Sequence, residues 1–495
     1  MILRQMLSDT TLRKLQLIEY LDLKTDPIAD NQIADDLAIS HRTLTHDIQQ
    51  INTEYDFLHI SNTHWGVYLE YSKGANLRSI YRYLLKNEPG FRLLDWIFRH
   101  TVPTVEKAAE DLYTSKSTIY RLVNKLNLHL EQYHIQIKYP DLTFEGNEVD
   151  IRFFFAQFYS EISEYNEWPF KSIDIDAIKE LIISAYSYAE YQLNYPTIRF
   201  LLFSVSVNMV RLRQGHHIST ETNAFDIMYH EFLETPENLT FMQEITQRLG
   251  IEMSLNNIKQ LFIAYAKETF ESPRIEEHAN DESIETVRQS MEFLSRIIGQ
   301  LSDKYHIPIE DIPELAGYLH NTANLFKWET ETFNILYPYM PKFIERTQYY
   351  IGDFVTVARE LLHEYIEWME LDSSDMMHDL LVYNLITHWP NLFKHLYTDR
   401  TRKIHCAVIS DDDIHHATFM VDILNMNKRP YVHYHVYTDY DIDPFTLDNS
   451  PYDVIITTFP IPRLKYKPVC SIHRFPTEKD LYLIDRTIYK LVNMK

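Results

Sequence analysis

Glycine is scarce in this chain, and the scarcity restricts the folds and sites that the chain can form. The 495 residues include nine glycines, and none follows Gly352. No G-x-G segment and no P-loop pattern occur, which argues against a nucleotide site cradled by glycines. A β-sandwich or barrel with glycine-rich turns is disfavoured for the same reason. Because 45% of the residues are hydrophobic, several cores can form, and we expect a mainly α-helical protein with several domains.

The sequence also excludes several compartments and protein classes. Cys406 and Cys470 are the two cysteines, so neither a disulfide framework nor a CxxC zinc site can form. Arg4, Asp9 and Arg13 make the N-terminus too charged for a signal peptide. No run of 18 apolar residues occurs, so no membrane span is expected. We therefore expect a cytoplasmic protein that does not insert into a membrane.

Negative charge is unevenly distributed along the chain. The formal net charge is −24, and residues 1–160 contribute −4 of it, from 17 Lys and Arg against 21 Asp and Glu. The remaining 335 residues contribute −20. A nucleic-acid site, if the protein has one, is therefore expected in the first third.

Residues 8–55 show a short helix, a tight turn and a longer polar helix. Apolar residues recur at three- and four-residue spacing, and Ser40 stands where it can cap the longer helix. Two alternating segments around Gly66 then predict a β-hairpin. The predicted helices are 10–23, 30–37 with Asp30 as its cap, and 41–55, and the predicted strands are 57–60 and 67–71. This order predicts a helix-turn-helix with a wing.

The same pattern returns about 75 residues later. The predicted helices are 91–99, 104–112 and 116–133, and the predicted strands are 135–139 and 142–144. Any helical hairpin with a short turn imitates one such motif, but two in tandem, each followed by a hairpin, are a stronger indication. The sequence therefore predicts an internal repeat of two winged helix-turn-helix domains.

The outward faces of the two longer helices carry side chains that can bond to base edges or phosphates. Neither face has a long basic stripe, so we expect limited base specificity and a preference for AT-rich or bendable double-stranded DNA. The candidate DNA-binding residues are Arg42, Thr43, His46, Gln49, Lys116, Ser117, Thr118, Arg121 and Lys125.

The remainder of the chain divides into a helical part and a mixed part. Residues 151–395 read as amphipathic helices, and the polar, acidic segment 272–283 predicts a linker between two helical modules. After residue 395, apolar segments at 403–409, 431–437 and 452–457 predict strands, and 414–426 and 477–492 predict helices. This order is typical of a small α/β domain with a parallel sheet.

In order and in length, these five parts resemble the Mga/AtxA-type virulence regulators of Gram-positive bacteria. The local matches are residues 31–55, 104–133 and 211–217. The resemblance implies a DNA-binding transcription regulator whose two helical modules are regulatory domains of the sugar phosphotransferase system and whose last domain is similar to enzyme IIB. The expected domains are winged helix-turn-helix domains at 1–75 and 76–155, helical regulatory domains at 156–275 and 284–397, and an enzyme IIB-like α/β domain at 401–495.

The implied regulation directs attention to histidines in the helical modules. A phosphorylatable histidine needs an accessible ring nitrogen and cations that hold the phosphate. His216 and His217 follow Arg211 and Arg213, which are candidate cations; the alternative is a surface turn at which Gly215 ends a helix.

Two further histidines in the second module are candidates. His320 and His363 each follow apolar residues, and the alternative for each is a partly buried structural histidine. Phosphorylation at any of these sites implies the phosphocarrier protein of the phosphotransferase system as a partner.

The last domain departs from the pattern of a phosphocarrier. An enzyme IIB phosphocarrier places a cysteine at the end of its first strand, before a loop of backbone N–H groups, whereas Cys406 lies mid-strand and the loop 410–413 is Ser-Asp-Asp-Asp. We therefore expect a structural or assembly role. The histidines at 415–416, His433 and His435 do not complete a convincing ligand set, so no metal is expected, and neither is a cofactor.

The aromatic-rich segments 431–437 and 459–462 predict contacts of a homodimer or larger assembly, and the alternative is that these aromatics belong to the core. The runner-up function is a helical scaffold or adaptor that does not bind DNA. An enzyme is not expected, since no motif such as G-x-S-x-G is present.

Overall fold

The computed structural model divides the chain into two compact units. The first comprises Met1–Ile298, Asp311–Glu345 and Ala358–Leu385, and the second comprises Gly299–Glu310, Arg346–Val357 and Ile386–Lys495. The structure describes residues 3–24, 26–164, 167–190, 195–220, 223–263, 269–326, 335–337, 339–371, 373–398, 403–426, 431–439 and 442–493. Within these ranges, no helix is both long and apolar enough to cross a membrane.

Two similar sets of elements open the chain. The first set is α1 (Asp9–Asp22), α2 (Asp30–Asp36), α3 (His41–Glu54) and the antiparallel strands β1 (Leu58–Thr63) and β2 (Gly66–Tyr71). The second set is α4 (Leu77–Asn87), α5 (Pro89–Arg99), α6 (Val105–Asp111), α7 (Lys116–Leu130) and the antiparallel strands β3 (Ile135–Lys138) and β4 (Thr143–Gly146). The predicted helices and hairpins are confirmed, while α4 was not predicted.

The turns of the two sets have the same backbone geometry. Ala38 and Tyr113 occupy equivalent positions with φ of 53° and 52°. Ser40 and Ser115 then cap α3 and α7, each accepting a hydrogen bond from the backbone N–H three residues later. The prediction that Asp30 caps α2 is wrong, because the cap position is Ala29 and the Asp30 carboxylate instead accepts a hydrogen bond from the Asn62 side chain at 2.9 Å.

A helical region follows the second hairpin. Its helices are α8 (Glu148–Ile162), α9 (Ile175–Tyr188), α10 (Tyr195–Arg213), α11 (Ala224–Phe232), α12 (Pro236–Leu249), α13 (Leu255–Leu261), α14 (Pro273–Glu276), α15 (Asp281–Tyr305), α16 (Ile312–Phe326), α17 (Tyr339–Trp368, kinked at Ile351), α18 (Asp375–His388) and α19 (Leu392–Thr398). One apolar core runs from α1 to α13, and Phe98 of α5 stacks on Phe155 of α8 with ring centroids 4.2 Å apart. The two N-terminal sets and the first helices of this region therefore share one core.

The segment 272–283, expected to be a linker, packs against other helices. Ser272 and Ile275 are buried, and Arg274 pairs with Glu231 of α11 at 2.9 Å. His278 lies 3.1 Å from the same carboxylate. The sequence looked like a linker because polar side chains dominate it, but their partners lie on helices distant in sequence.

The second unit contains a four-stranded parallel sheet. Its elements are β5 (Ile404–Ile409), α20 (Ile414–Met426), β6 (Val432–Val436), α21 (Pro444–Asn449), β7 (Val454–Thr457), β8 (Val469–Ser471) and α22 (Glu478–Asn493), with strand order β6-β5-β7-β8. Met420 of α20 and Ile484 of α22 cover one face, and Leu447 of α21 covers the other. The predicted parallel sheet is confirmed, and α21 and β8 were not predicted.

Candidate DNA interface and regulatory histidines

The helix α3 is fixed through its inner face and presents its outer face to solvent. Leu44 and Ile48 are buried, and buried Asp47 accepts two hydrogen bonds from Arg13 of α1 at 2.6 and 2.9 Å. Sequence reasoning missed this pair because it joins residues 34 positions apart. Of the four candidates on this helix, Arg42, His46 and Gln49 are exposed, and Thr43 is half-buried beside its Ser40 cap.

The helix α7 presents a smaller basic surface than the sequence suggested. Lys116, Ser117 and Arg121 are exposed, and Nζ of Lys116 lies 2.5 Å from Glu106. The Thr118 hydroxyl lies 2.9 Å from its Ser115 cap. Arg121 is therefore the cation of this helix best placed to meet a phosphate.

The expectation that Lys125 lies on the DNA-facing surface is wrong. Its ammonium group donates hydrogen bonds to the backbone carbonyls of Met6 and Leu7 at 3.0 and 3.2 Å, and its side chain is half-buried. Lysine spacing alone suggested a basic face, but the N-terminal turn at Leu3–Met6 covers this position. Lys125 thus holds the N-terminus against α7.

The first regulatory candidates, His216 and His217, follow the end of α10. Gly215 has φ of 87° and ends the helix, as the alternative interpretation expected. His217 is exposed. His216 is half-buried, and burial lowers the pKa of its imidazole. A neutral, partly accessible imidazole is compatible with phosphorylation.

The cations expected to hold a phosphate near these histidines have other partners. Arg211 is buried, and its guanidinium donates two hydrogen bonds to the carboxylate of Glu148 at 2.9 and 2.6 Å. Arg213 donates a hydrogen bond to the carbonyl of Leu249 at 2.5 Å. The prediction that Arg211 is available for phosphate is therefore wrong in this conformation, because Glu148 already neutralises it.

A buried charge cluster surrounds Glu148 at the start of α8. Arg152, one turn later, also donates to Glu148 at 2.9 Å, and it donates to the carbonyl of His216 at 2.8 Å. Burial alone would raise the pKa of Glu148, but hydrogen bonds from Arg211 and Arg152 outweigh it and lower the pKa. The turn that carries His216 is thereby tied to the helix that follows the second hairpin.

His320 is a structural histidine in this conformation. It is fully buried; Nε2 lies 2.7 Å from the carbonyl of Thr269, and Nδ1 lies 2.7 Å from the hydroxyl of Ser290. A carbonyl oxygen can only accept a hydrogen bond, so Nε2 carries the proton and Nδ1 accepts a hydrogen bond from Ser290. The hydroxyl oxygen of Ser290 also lies 2.8 Å from the hydroxyl oxygen of Tyr365. Both ring nitrogens are engaged, which matches the structural alternative.

His363 is exposed, and a second histidine orients it. Nδ1 of His378 lies 2.8 Å from the carbonyl of Ser374, so that nitrogen carries the proton. In its neutral form, His378 then accepts at Nε2 from Nδ1 of His363, at 3.1 Å. The lone pair of neutral His363 is thus on Nε2; the carboxylate of Glu367, 3.4 Å from that nitrogen, accepts a hydrogen bond from it only when the ring is protonated.

The C-terminal sheet buries its cysteine. Cys406 lies in the middle of β5, and burial raises the pKa of its thiol to about 12. The carboxylate of Asp411 in the following loop binds Arg474, which lies before α22, at 2.9 Å. A neutral, buried thiol is a poor nucleophile, so these features do not favour phosphotransfer at Cys406.

Three histidines share the other face of this sheet. The His405 ring stacks on His433 and on His435 with ring centroids 5.2 Å apart in each case, and its Nδ1 lies 2.9 Å from Nε2 of His435. Within the described ranges, no group of three or more His, Cys, Asp or Glu side chains is suited to a metal ion.

Comparison with known proteins identifies the family. A model of the Mga helix-turn-helix domain matches residues 73–159, and a model of the PRD domain of the M protein trans-acting positive regulator (MGA) matches residues 174–392. A putative trans-acting regulator of Streptococcus pneumoniae is 27% identical over 492 residues, which cover 98% of this chain and 99% of the relative. The chain belongs to the Mga/AtxA-type family of regulators.

Two more distant relatives come from Bacillus anthracis. The capsule synthesis positive regulator AcpB is 20% identical, with 94% of this chain and 96% of the relative covered. The anthrax toxin expression trans-acting positive regulator is 20% identical, with 86% of each chain covered. As a member of the Mga/AtxA-type family, the protein is a DNA-binding transcription regulator.

A polar cluster joins the N-terminal helices of this Mga/AtxA-type protein to the start of α17. The carboxylate of Glu19 in α1 accepts hydrogen bonds from Arg4 at 3.0 Å, from Lys342 at 2.8 Å and from the hydroxyl of Tyr81 in α4. Burial acts to raise the pKa of Glu19, but these hydrogen bonds prevail and lower it. The Tyr337 ring packs on Tyr81 with centroids 4.8 Å apart.

The residues just before α17 are also held from the other side. The half-buried Glu161 of α8 accepts hydrogen bonds at its carboxylate from the backbone N–H groups of Ile335 and Leu336 at 2.8 and 3.3 Å. Arg4 donates to the carbonyl of Leu336 at 3.3 Å. Sequence reasoning missed both clusters, because their members lie up to 332 residues apart.

The buried His320 of this Mga/AtxA-type protein gives the first unit a stability that depends on pH. Burial lowers its pKa below the value of about 6.5 expected in the unfolded chain. Its contribution is therefore complete above about pH 6.5 and is lost as the pH falls. We expect wild type to be more stable than His320→Gln at pH 7.5, and the difference in melting temperature to shrink at pH 5.5. A difference that stays constant with pH would contradict a buried neutral imidazole.

Proposed function

We propose that both helix-turn-helix sets are winged domains that bind duplex DNA through α3 and α7. The observation that carries this proposal is the repeated turn geometry, which presents exposed Arg42 and Arg121 on two equivalent helices. Arg42, His46 and Gln49 with Thr43 form one surface, and Lys116, Ser117 and Arg121 with Thr118 form the other. A mobility-shift titration of the intact chain on an AT-rich duplex tests it. Discrete retarded complexes support DNA binding, and their absence would favour the scaffold alternative.

We propose that the chain has five domains with the boundaries expected from its sequence. The two winged domains correspond to 1–75 and 76–155, the helical regulatory domains to 156–275 and 284–397, and the enzyme IIB-like domain to 401–495. The shared apolar core from α1 to α13 supports tight mechanical coupling between the first three of these domains.

We propose that phosphorylation of regulatory histidines by the phosphocarrier protein alters DNA binding. His363 is the best placed of the four candidates, because its nucleophilic Nε2 is oriented by His378 and its side chain is 46% exposed. Arg359, one turn earlier, binds both Asp375 and buried Asp379 at 2.6 Å, and it exchanges exposed Asp375 for a phosphoryl group. His216 and His217 remain candidates, whereas His320 would first have to leave its buried hydrogen bonds.

Phosphotransfer to His363 can be measured directly. Incubation of the intact chain with the phosphorylated phosphocarrier protein should give acid-labile phosphate, most of which His363→Ala should remove. His320→Gln is the matched control and should retain the label. Label that is unchanged in His363→Ala would remove this residue from the proposal and direct attention to His216 and His217.

The Glu19 cluster offers a route from the regulatory modules to the DNA-binding helices. A phosphoryl group adds nearly two negative charges, which can reorganise the ion pairs of α17 and α18. Lys342 at the start of α17 contacts Glu19 of α1 directly. A shift of α17 would therefore alter the support of α1, against which α3 is held by Arg13 and Asp47.

We propose that the C-terminal domain contributes to a homodimer, through a different surface from the one first expected. Tyr431 and Tyr437 are buried, so these aromatics belong to the core, as the alternative interpretation held. The exposed apolar side chains of α20, α22 and the residues before α22 lie on one side of the sheet. They are Ile414, Phe419, Met426, Phe475, Tyr482, Leu483 and Tyr489.

Paired charges on this surface should separate the protomers. Phe419→Glu with Phe475→Glu places two carboxylates where the ring centroids are now 6.2 Å apart, and we expect a monomer by light scattering at micromolar concentration. Phe445→Glu is the control, because Phe445 is 78% exposed on α21, which covers the opposite face. A double variant that remains dimeric would place the interface elsewhere, for example on the helical modules.

A further inference from the structure

An apolar cavity lies among α9, α11, α12, α13 and α14. Its volume is about 110 Å³, and 15 described residues line it. Protein interiors are close-packed, because every void deprives its lining atoms of van der Waals contacts. A void of this size is therefore a candidate site for a ligand that restores those contacts.

Small residues of α9 leave part of this space unfilled. Ser184 and Ala185 follow Leu181 by three and four residues, so all three lie on one face of the helix, and all three line the cavity. A longer side chain at Ser184 or Ala185 would extend into the cavity. These two positions are therefore suited to a test by filling.

The lining is suited to an uncharged ring. Among the described residues that line the cavity none is charged, so an ionised ligand would lose its hydration without gaining a counter-charge. Seven of these 15 residues are aromatic, and two are methionines, whose polarisable sulfur atoms pack well on rings. Tyr188 and Phe232 already meet edge to face, with centroids 5.1 Å apart. An aromatic ligand can extend the same kind of packing.

Two of the tyrosines that line the cavity have their hydroxyl groups bound by the protein. The hydroxyl of Tyr229 donates to the carbonyl of Met253 at 2.5 Å, and the hydroxyl of Tyr188 accepts a hydrogen bond from Arg274 at 2.9 Å. The rings of these tyrosines, rather than their hydroxyls, are therefore available to a ligand.

The volume of the cavity limits the size of the ligand. An apolar cavity of about 150 Å³ stays dry and binds benzene. At about 110 Å³, the cavity among α9 and α11–α14 is suited to a molecule with one ring and few substituents.

The segment that begins at Ser272 closes one side of the cavity. Ile275 of α14 is buried and belongs to the lining. Its neighbour Arg274 binds Glu231 at 2.9 Å, and His278 lies 3.1 Å from the same carboxylate. These charged groups are partly exposed, and ion pairs near the surface contribute little to stability, so their separation gives a ligand a route into the cavity.

From the volume, the aromatic lining and the lack of charge among the described lining residues, we infer that this cavity binds a small, uncharged molecule with a single aromatic ring. Because Ile275 is part of the site, occupancy favours the docked form of residues 272–278 by mass action. The inference goes beyond DNA binding and histidine phosphorylation, since the described lining includes no residue of α3 or α7 and none of the four candidate histidines.

Fluorine NMR of fluorobenzene mixed with the intact chain tests this binding. Wild type should broaden the fluorobenzene line, and benzene should sharpen it again by competition. Benzoate has the same ring with a negative charge and should not compete. Benzene should also raise the melting temperature of wild type, since a ligand that binds the folded state alone stabilises it.

Filling the cavity should abolish this effect. Ala185→Leu should weaken fluorobenzene binding by about tenfold or more, because the new side chain takes the space of the ring. Ser184→Val adds less volume from the same helix face and keeps the test decisive if Ala185→Leu unfolds. Ser187→Leu is the matched control, because Ser187 is exposed on the same helix, and it should bind as wild type does.

Two results would overturn the inference. A fluorobenzene line that stays sharp with wild type, up to the solubility of the probe, would show that the cavity is a dry void. Broadening that persists undiminished in Ala185→Leu and Ser184→Val would place the probe elsewhere on the protein. Either result would leave the proposed DNA-binding function in place.

Discussion

Replacing Arg42 and Arg121 together by alanine should lower duplex affinity by about 30- to 100-fold. These two exposed guanidiniums lie on equivalent helices of the repeat. Hydrogen bonds to charged groups contribute about 1.5–3 kcal/mol each, and part of that free energy is offset by solvation of the exposed side chains. Fluorescence anisotropy with a labelled duplex measures the change. The fold should be unaffected, because neither side chain is buried.

Lys125→Ala is the control for the Arg42→Ala, Arg121→Ala double variant. Its ammonium group binds the carbonyls of Met6 and Leu7, so its loss should reduce stability by about 1–3 kcal/mol and leave duplex affinity near that of wild type. If Lys125→Ala weakened DNA binding as much as the arginine double variant, the N-terminal turn would have to move away on DNA binding, and the assignment of Lys125 as structural would be wrong.

Removing the charge of Glu148 should destabilise the first unit by about 3–5 kcal/mol. Glu148→Gln keeps the shape of the side chain but leaves the buried guanidiniums of Arg152 and Arg211 without a counter-charge. The expected result is a lower midpoint in urea denaturation. Since Arg152 also holds the carbonyl of His216, phosphorylation at that turn should respond to the same variant.

A matched carboxylate provides the control for Glu148. Glu285 binds Arg288 through the same two-bond arrangement, at 2.9 and 2.5 Å, but at the protein surface. Surface ion pairs contribute little to the free energy of unfolding because water screens them. Glu285→Gln should therefore leave the denaturation midpoint unchanged. Equal effects of the two substitutions would contradict the account of Glu148 as the counter-charge of a buried cluster.

Local sequence signals predicted the helix-turn-helix sets and the C-terminal sheet well. Ser40 and Ser115 mark the starts of α3 and α7 through hydrogen bonds that span three residues, and apolar spacing defines the buried faces of the same helices. Parallel strands are buried on both sides, so β5 and β7 read as short apolar runs. Such features depend on neighbours in sequence, which the sequence shows directly.

The roles of individual charged residues could not be predicted in the same way. Lys125 and Arg211 looked like exposed cations, but Met6 and Glu148 engage them from positions 119 and 63 residues away. His320 and His363 both follow apolar residues, yet one is buried and the other is exposed. Whether a polar side chain faces solvent or a partner depends on tertiary packing, which periodicity does not encode.

The salt dependence of duplex binding tests the central claim most directly. Arg42, Lys116 and Arg121 on each of two protomers would neutralise about six phosphates, so log affinity should fall with log salt at a slope of about −5. The Arg42→Ala, Arg121→Ala double variant should reduce that slope to about −2. A protein that acts as a scaffold would bind no duplex at low salt. Absence of binding, or an affinity that does not change between 50 and 200 mM salt, would contradict DNA recognition through α3 and α7.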